Sequence, residues 1–262
     1  MRPEWPLAFF SAQPGYKPLL PVLQQLAHFP DYADWATLPA PRTQTGLPIQ
    51  FVEPDTLTHY YEVEIAQLGR VATRPANWHD AFNALVWHTF PRTKAALNAL
   101  HLRHMSPAGA GERGPQRDAA TLFDECGLIV VSCDPTLLAQ QRDHQWHALF
   151  VAERDAWGTR IEAISLGHAN YEALLTPFPG LTGKSWQVAV DADYFTLDAA
   201  ARLTYLDTYL ASQLDADWLQ TPRQLPPLPY LGVPGWWPQQ DEAFYADTAY
   251  FRPARHARRA TG

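Results

Sequence analysis

Proline is the residue that most limits how this chain can fold, because there are 24 prolines in 262 residues and they concentrate towards the two ends. Proline breaks a helix interior and cannot donate to a sheet ladder. Residues 1–56 contain ten prolines, which predicts an arm wrapped over the rest of the protein. Residues 222–262 form a second segment, rich in proline and aromatic residues. The regular core is therefore expected in residues 57–221.

Composition indicates an ordinary globular protein and narrows its partners. Hydrophobic residues make up 47% of the chain and charged residues 18%, so a sizeable core is expected. The net charge of −7 argues against nucleic acid and against an anionic membrane surface, while a small-molecule ligand fits. No apolar run has the length of a membrane span, and the first residues do not resemble a signal peptide, so a cytoplasmic protein is expected. Nothing in the sequence indicates an oligomeric state.

Apolar spacing and turn residues predict an α+β protein, mostly helical, with a small antiparallel sheet or hairpin and long Pro-rich loops. No repeat or linker divides it, so residues 1–262 are expected to form a single domain. Asn77 is expected to cap a helix, with Asp80 as its reciprocal partner, and Gly69 to end another. Helices are predicted over residues 58–68, 77–90, 92–104, 135–150, 161–175 and 197–214. The remaining predictions are a flexible loop over 106–116, a tight β-hairpin over 120–132 and a strand over 185–190.

The predicted helix from Asn77 to Phe90 carries unusual polar residues. At 100° per residue, His79, Asn83 and Trp87 share one stripe, with Asp80 at its edge. An exposed face would normally carry Lys and Glu, so this stripe indicates the wall of a pocket. His79 and Asn83 are four residues apart and can bind a metal or orient a substrate together. Alternatively, these residues only cap the helix and satisfy buried backbone groups.

Other charged residues extend this hypothesis. Arg74 precedes the helix start, where an anion is favoured, and Arg117 leaves the predicted loop as a second anion-binding candidate. Asp118 is a candidate metal ligand beside it. His168 could face the same cavity as His79, although a packed histidine is the more ordinary explanation. Asp118, Asp124 and Glu125 are close enough in sequence to suggest a metal or acid–base group, but Asp124 and Glu125 fall in a predicted turn, where acidic residues need no functional reason.

Several other patterns carry no function here. Residues 180–185 resemble the end of a phosphate-binding loop, but Phe178 stands where its first glycine belongs and a strand follows. The two cysteines, Cys126 and Cys133, supply neither a disulfide framework nor a zinc quartet, and we interpret them as buried thiols. His144 and His147 lie in a polar helix and lack a third ligand.

Trp236 and Trp237 stand between two prolines in the C-terminal segment. Exposed indoles at this point could stack a planar ligand, which makes both residues candidates for substrate binding. The alternative is that they clamp the C-terminal segment onto the core, since tryptophan buries a large apolar area.

Six segments together resemble a bacterial family known as domain of unknown function 3025. The resemblance runs from about Tyr60 to Pro253 and implies a bacterial cytoplasmic protein. It supplies no catalytic residues. The segments are NWHDAFNALVW, FPRTKAALN, RGPQRDAATLFDECG, GHANYEALL, LTGKSW and PPLPYLGVPGWWPQQDEAFYADTAYFRP.

The leading hypothesis is a hydrolase, assisted by a divalent metal, that acts on a small anionic substrate. His79 would be the general base or a metal ligand, and Asp118 the second ligand. Asp80, Asn83 and His168 would complete the catalytic group. Trp87, Trp236, Trp237, Arg74 and Arg117 would contact the substrate. The alternative is a non-catalytic module that binds a ligand or a protein through the aromatic C-terminal segment and the 106–116 loop.

Overall fold

Eleven α-helices and six strands make up the computed structural model over the residues that it describes, 2–105 and 114–254. The helices are α1 (Leu7–Ala12), α2 (Leu20–Leu23), α3 (Tyr32–Thr37), α4 (Tyr61–Leu68), α5 (Trp78–Thr89), α6 (Pro91–Arg103), α7 (Pro115–Cys126), α8 (Pro135–Arg142), α9 (His168–Ala173), α10 (Ala199–Asp215) and α11 (Glu242–Ala246). The strands are β1 (Gln50–Val52), β2 (Arg70–Ala72), β3 (Gly127–Ser132), β4 (Ile161–Ser165), β5 (Thr182–Ala189) and β6 (Pro227–Pro229). This architecture confirms the predicted α+β class.

The main sheet has the strand order β4-β3-β5-β6 and is mixed. Strand β3 pairs with β5 in parallel, with Ile129 opposite Trp186, and with β4 antiparallel, with Ile129 opposite Ile164. All six residues of β3 are buried, as its continuous apolar run requires. Helix α7 leads directly into β3. The C-terminal end of α7 is therefore held in place at the start of a buried central strand.

Two element predictions around this sheet are wrong. Residues 120–132 do not form a hairpin, because α7 continues to Cys126 and only then does the chain extend as β3. Buried Arg117, Ala120 and Phe123 recur every three residues, which is helical spacing. Residues 161–175 were predicted as one helix, but they form strand β4, a two-residue link and the short helix α9. Most of the predicted 106–116 loop, residues 106–113, lies outside the described residues.

Capping explains why the helices on either side of the Arg74 region begin and end where they do. Gly69 adopts φ +67° at the end of α4, and Asn77 accepts a hydrogen bond from the Asp80 amide at the start of α5, as predicted. The predicted reciprocal bond from Asp80 is wrong, because its carboxylate accepts from the backbone and side chain of Arg74 instead. Pro91 ends α5 and begins α6.

The Pro-rich N-terminal residues contribute to the core directly. Phe10, Tyr16 and Leu19 are fully buried, and Tyr16 stacks on Phe82 of α5 and on Tyr171 of α9. These aromatic contacts hold α5 and α9 side by side. No helix in residues 2–105 or 114–254 combines the length and the apolar character needed to cross a bilayer.

His88, near the end of α5, makes the stability of this core sensitive to acid. Its ring stacks on Trp35 at 5.8 Å and contacts Phe51 at 5.5 Å. Burial lowers the pKa of His88 to about 4, so the folded protein holds the ring neutral at pH values where an unfolded chain protonates it. Between about pH 6.5 and 4 the unfolded chain thus binds more protons.

We expect the free energy of unfolding to fall by about 2–3 kcal/mol as pH drops from 6.5 to 4, owing to His88. His88→Phe keeps a ring in the stack and removes the titrating group, so the free energy of unfolding of this variant should fall less steeply as pH drops. Urea unfolding at five pH values between 4 and 8 measures the pH dependence of this free energy in both proteins. Equal slopes for the two proteins would contradict this assignment.

Candidate metal centre

Three helices bring two histidines and a glutamate together. His79 lies in the first turn of α5, Glu125 at the end of α7 and His168 at the start of α9. The two histidine Nε2 atoms are 3.1 Å apart. Oε2 of Glu125 lies 3.4 Å from the Nε2 of His168 and 3.8 Å from that of His79. The side chains are 30% (His79), 37% (Glu125) and 5% (His168) exposed, so the group has a buried base and an open side.

Gly167 explains how His168 reaches Glu125. Its backbone packs on the junction of α7 and β3, and its amide donates to the Gly127 carbonyl oxygen at 2.8 Å. A Cβ on Gly167 would lie 2.3 Å from the Gly127 nitrogen and 2.4 Å from the Glu125 carbonyl oxygen. Only glycine permits this close approach, which places the next residue, His168, beside the side chain of Glu125.

The three facing atoms have the spacing of ligands around one metal ion. Ligand atoms at 2.0–2.1 Å from a tetrahedral zinc lie about 3.3 Å apart. Edges of 3.1, 3.4 and 3.8 Å define a circle whose radius is about 2.0 Å, close to a zinc–ligand distance. A small cation near its centre would contact all three atoms. Two histidines and one glutamate are also a ligand set found in catalytic zinc sites.

Each histidine has a carboxylate near its other ring nitrogen. Nδ1 of His79 is 3.1 Å from Oε2 of Glu172, and because a carboxylate accepts, this nitrogen carries the hydrogen. Nδ1 of His168 is buried, has no hydrogen-bond partner among the described residues and lies 4.0 Å from Oδ1 of Asp124. The hydrogen bond to Glu172 fixes the tautomer of His79 that leaves its Nε2 a lone pair for a metal. Two lone pairs 3.1 Å apart repel unless a proton or a metal cation lies between them.

The acidic residues of the group are held in their charged forms. Burial raises the pKa of Asp124, but the positive charges of Lys94 and His168 outweigh it and keep that pKa below its usual value. Burial likewise opposes ionisation of Glu125, and the hydrogen bond and charge of His168, with the charge of His79, lower its pKa overall. Both carboxylates are therefore ionised beside the two histidine rings.

Lys94 is a buried lysine of α6 that lies behind the two histidines and links α6 to α5 and α7. Its ammonium group donates to Oδ1 of Asn83 at 2.9 Å and to Oδ1 of Asp124 at 2.5 Å. The Lys94 side chain is only 4% exposed, and its nitrogen lies 5.5 Å from the centre of the Trp87 ring. Asn83 in turn donates to the Tyr61 hydroxyl at 3.3 Å. Asp124 is thus supported from the interior while it faces His168.

A second acid, Glu62 of α4, lies close enough to Lys94 and Asp124 to be influenced by their charges. Glu62 accepts a hydrogen bond from Asn98 at 2.6 Å. Burial raises the pKa of Glu62 to about 7, and the nearby charge of Asp124 adds to this effect. Its proton is therefore exchangeable near neutral pH, next to the Lys94 and Asp124 pair.

The structure brings some of the predicted site residues together and separates others. His79 and His168 face each other across the centre, whereas Asn83 and Trp87 lie buried behind it. Asp80 is not part of the centre and forms a bidentate ion pair with Arg74. The Arg74 side chain remains 58% exposed.

Arg117 and Asp118 do not leave a loop as predicted, because both belong to the first turn of α7. Arg117 is 2% exposed and donates to the Tyr60 hydroxyl at 3.0 Å, so it is directed into the protein. Asp118 is exposed and lies two helical turns from Glu125, about 10 Å along the axis. Glu125, and not the predicted ligand Asp118, is the acidic residue of α7 that lies beside His79.

Trp236 and Trp237 lie apart from the centre, in the C-terminal segment. Both are half-buried, and Trp236 packs against Tyr230 with ring centres 4.9 Å apart. Trp236 lines a separate cleft together with residues of β4 and α10.

The sequence interpretation missed Glu172 and Lys94, and it set Asp124 and Glu125 aside as residues of a turn. A helix predicted over residues 115–126 would have placed Glu125 at the end of a helix instead of in a turn. The spacing of His168 and Glu172, four residues apart in a helix, was a further signal. Lys94 in a mostly apolar helix was another. Burial also raises the pKa of the Cys126 thiol, which argues against a thiolate nucleophile there.

Comparison with known proteins gives one match. A family model described as "Protein of unknown function (DUF3025)" matches residues 49–255, a range that includes every residue of the metal centre. No curated protein and no solved structure matches the chain. The resemblance seen in the sequence is confirmed, and the chain belongs to the family described as protein of unknown function DUF3025.

Proposed function

We propose that the protein is a zinc-dependent hydrolase that acts on small anionic substrates, with zinc bound by His79, Glu125 and His168. The observation that carries this proposal is the triangle of two Nε2 atoms and one carboxylate oxygen, with edges of 3.1, 3.4 and 3.8 Å. Two nitrogen ligands and one oxygen ligand favour zinc over magnesium or calcium, which prefer oxygen alone.

The arrangement is that of a catalytic rather than a structural site. Three protein ligands leave one tetrahedral position for water, and zinc lowers the pKa of such a water to about 7. His79 and Glu125 are partly exposed, so a substrate can approach from their side. Glu172, which is 45% exposed, accepts from Nδ1 of His79 on the far side of the ring and so holds Nε2 towards the centre.

One unpaired cation near the centre supports an anionic substrate. Arg74 interacts electrostatically with Glu172, but its ion pair with Asp80 already balances its charge. Lys184 on β5 lies close enough to Cys126, the neighbour of Glu125, to lower the pKa of that thiol against the effect of burial. A phosphate or carboxylate group bound at the metal would thus meet positive charge beside it.

Hydrolysis of chromogenic esters tests the proposal. The purified protein, loaded with one equivalent of Zn²⁺, is assayed with p-nitrophenyl phosphate, bis-p-nitrophenyl phosphate and neutral p-nitrophenyl acetate. We expect one of the phosphate esters to be cleaved at least about 100-fold faster with zinc than after removal of the metal by a chelator. The neutral ester should show a smaller dependence on zinc.

The outcomes separate the parts of the proposal. Stoichiometric zinc without hydrolysis of any ester would leave a metal site and contradict the enzyme. Absence of zinc binding would contradict both. Equal zinc stimulation of the neutral and the anionic esters would contradict only the assignment of substrate charge.

A further inference from the structure

A cleft of about 890 Å³ lies apart from the metal centre and shares no lining residue with it. Its walls come from distant parts of the chain: the 3₁₀ helix Pro14–Leu19, strand β4, helix α10 and the C-terminal segment around Trp236. Ligand sites of proteins commonly have volumes of about 300–1,000 Å³ and combine apolar walls with a few polar groups. This cleft has that size and is large enough for a small organic molecule.

The cleft has an excess of one positive charge. Three cations line it, Lys17, Arg154 and Arg202, together with two carboxylates, Asp155 and Glu162. Arg202 is neutralised by an ion pair with Glu162 at 2.9 Å. Arg154 donates only to neutral acceptors, the Tyr245 hydroxyl at 3.2 Å and Oε1 of Gln240 at 3.1 Å.

Neither Lys17 nor Arg154 has an acidic partner within 4.0 Å in the part of the chain that the structure describes. The two neutral hydrogen bonds hold the Arg154 guanidinium group in place without cancelling its charge. An anion bound in the cleft would therefore meet a cation already fixed in position, at little cost in side-chain entropy.

The other walls are aromatic and aliphatic. Trp157 and Trp236 are half-buried and line the cleft, and Leu203 and Val233 line it with them. The Trp157 indole is fixed by its hydrogen bond to the Leu149 carbonyl oxygen at 2.9 Å and by stacking on Phe150. Rigid aromatic surface of this kind favours a flat or apolar body over a fully hydrated ion.

We propose that this cleft binds an amphipathic organic anion, with the acidic group at Arg154 and Lys17 and the apolar body against Trp157 and Trp236. The inference is independent of the metal centre, because none of these residues belongs to it.

Binding of the aromatic sulfonate 8-anilinonaphthalene-1-sulfonate, measured by fluorescence titration of the folded protein, tests the proposal. We expect saturable binding of one probe per chain, and about tenfold weaker binding in Arg154→Gln. Lys17→Gln should weaken binding in the same direction, and since Lys17 is exposed this change should not disturb folding. Arg160→Gln is the matched control, because Arg160 is also exposed but pairs with Asp134 and Glu153 and does not line the cleft.

Competition identifies the charge that the cleft selects. Decanoate should displace the probe, whereas decyltrimethylammonium should not. Absence of saturable probe binding would overturn the proposal, as would equal weakening in Arg154→Gln and Arg160→Gln. Displacement by the cationic amphiphile as strong as that by decanoate would overturn the assignment of an anion. Unchanged melting temperatures of the variants exclude exposure of core surface as the source of fluorescence.

Discussion

Replacing Lys94 with methionine is expected to lower the free energy of unfolding by about 3 kcal/mol. The change removes the cation from a buried pair and leaves Asp124 facing His168 without its ammonium partner. It also leaves Oδ1 of Asn83 without a donor and removes the cation near the Trp87 ring. Methionine occupies nearly the same volume, so the loss reflects charge and hydrogen bonding rather than a cavity.

Urea unfolding at pH 7 in the presence of a chelator measures this effect without a contribution from bound metal. Lys184→Met is the matched control, since Lys184 is half-buried but forms no ion pair within the described residues; its effect should stay near 0.5 kcal/mol. Adding Asp124→Asn to Lys94→Met should recover part of the loss, because the unpaired charge is then gone. A loss for Lys94→Met no larger than for Lys184→Met would contradict the assigned role of the pair.

Local signals in the sequence were sufficient to predict α5, the helix that carries His79. Asn77 as the N-cap, apolar spacing up to Phe90 and Pro91 after it determine α5 almost without help from the rest of the chain. The polar stripe on that helix was also visible. What it faces depends on α9 and on the end of α7, which are remote in sequence, and no local pattern reports such contacts.

The boundary between α7 and β3 shows why the other half of the site was missed. Residues 120–123 and 128–132 are both apolar, and a short apolar run fits a strand as well as a buried helix. Packing decides between them, since Ala120 and Phe123 lie buried on one face of α7. Once that segment is helical, Glu125 moves from a turn to the end of a helix, next to Gly167 and His168.

Glu125 and Asp118 offer a direct comparison between the site in the structure and the site expected from sequence. Both are acidic residues of α7, two turns apart, but only Glu125 lies with the two histidines. Isothermal titration with ZnCl₂ should therefore give one zinc per chain for the native protein and for Asp118→Asn. In Glu125→Gln and in His168→Ala the affinity should fall by more than about 100-fold, because each change removes a ligand rather than an outer partner.

Glu172→Gln distinguishes a metal centre from a histidine pair that merely shares a proton. Its carboxylate contacts His79 and is not one of the three facing atoms, so its loss should weaken zinc binding by about 10-fold to 100-fold without abolishing it. His147→Ala removes an exposed histidine elsewhere and should leave the affinity unchanged. A graded series, in which ligand changes exceed the Glu172 change and the two controls have no effect, is the pattern that a three-ligand centre requires. Equal effects of Glu125→Gln and Asp118→Asn would mean that zinc binds α7 through surface charge alone, and the centre formed by His79, Glu125 and His168 would then be refuted.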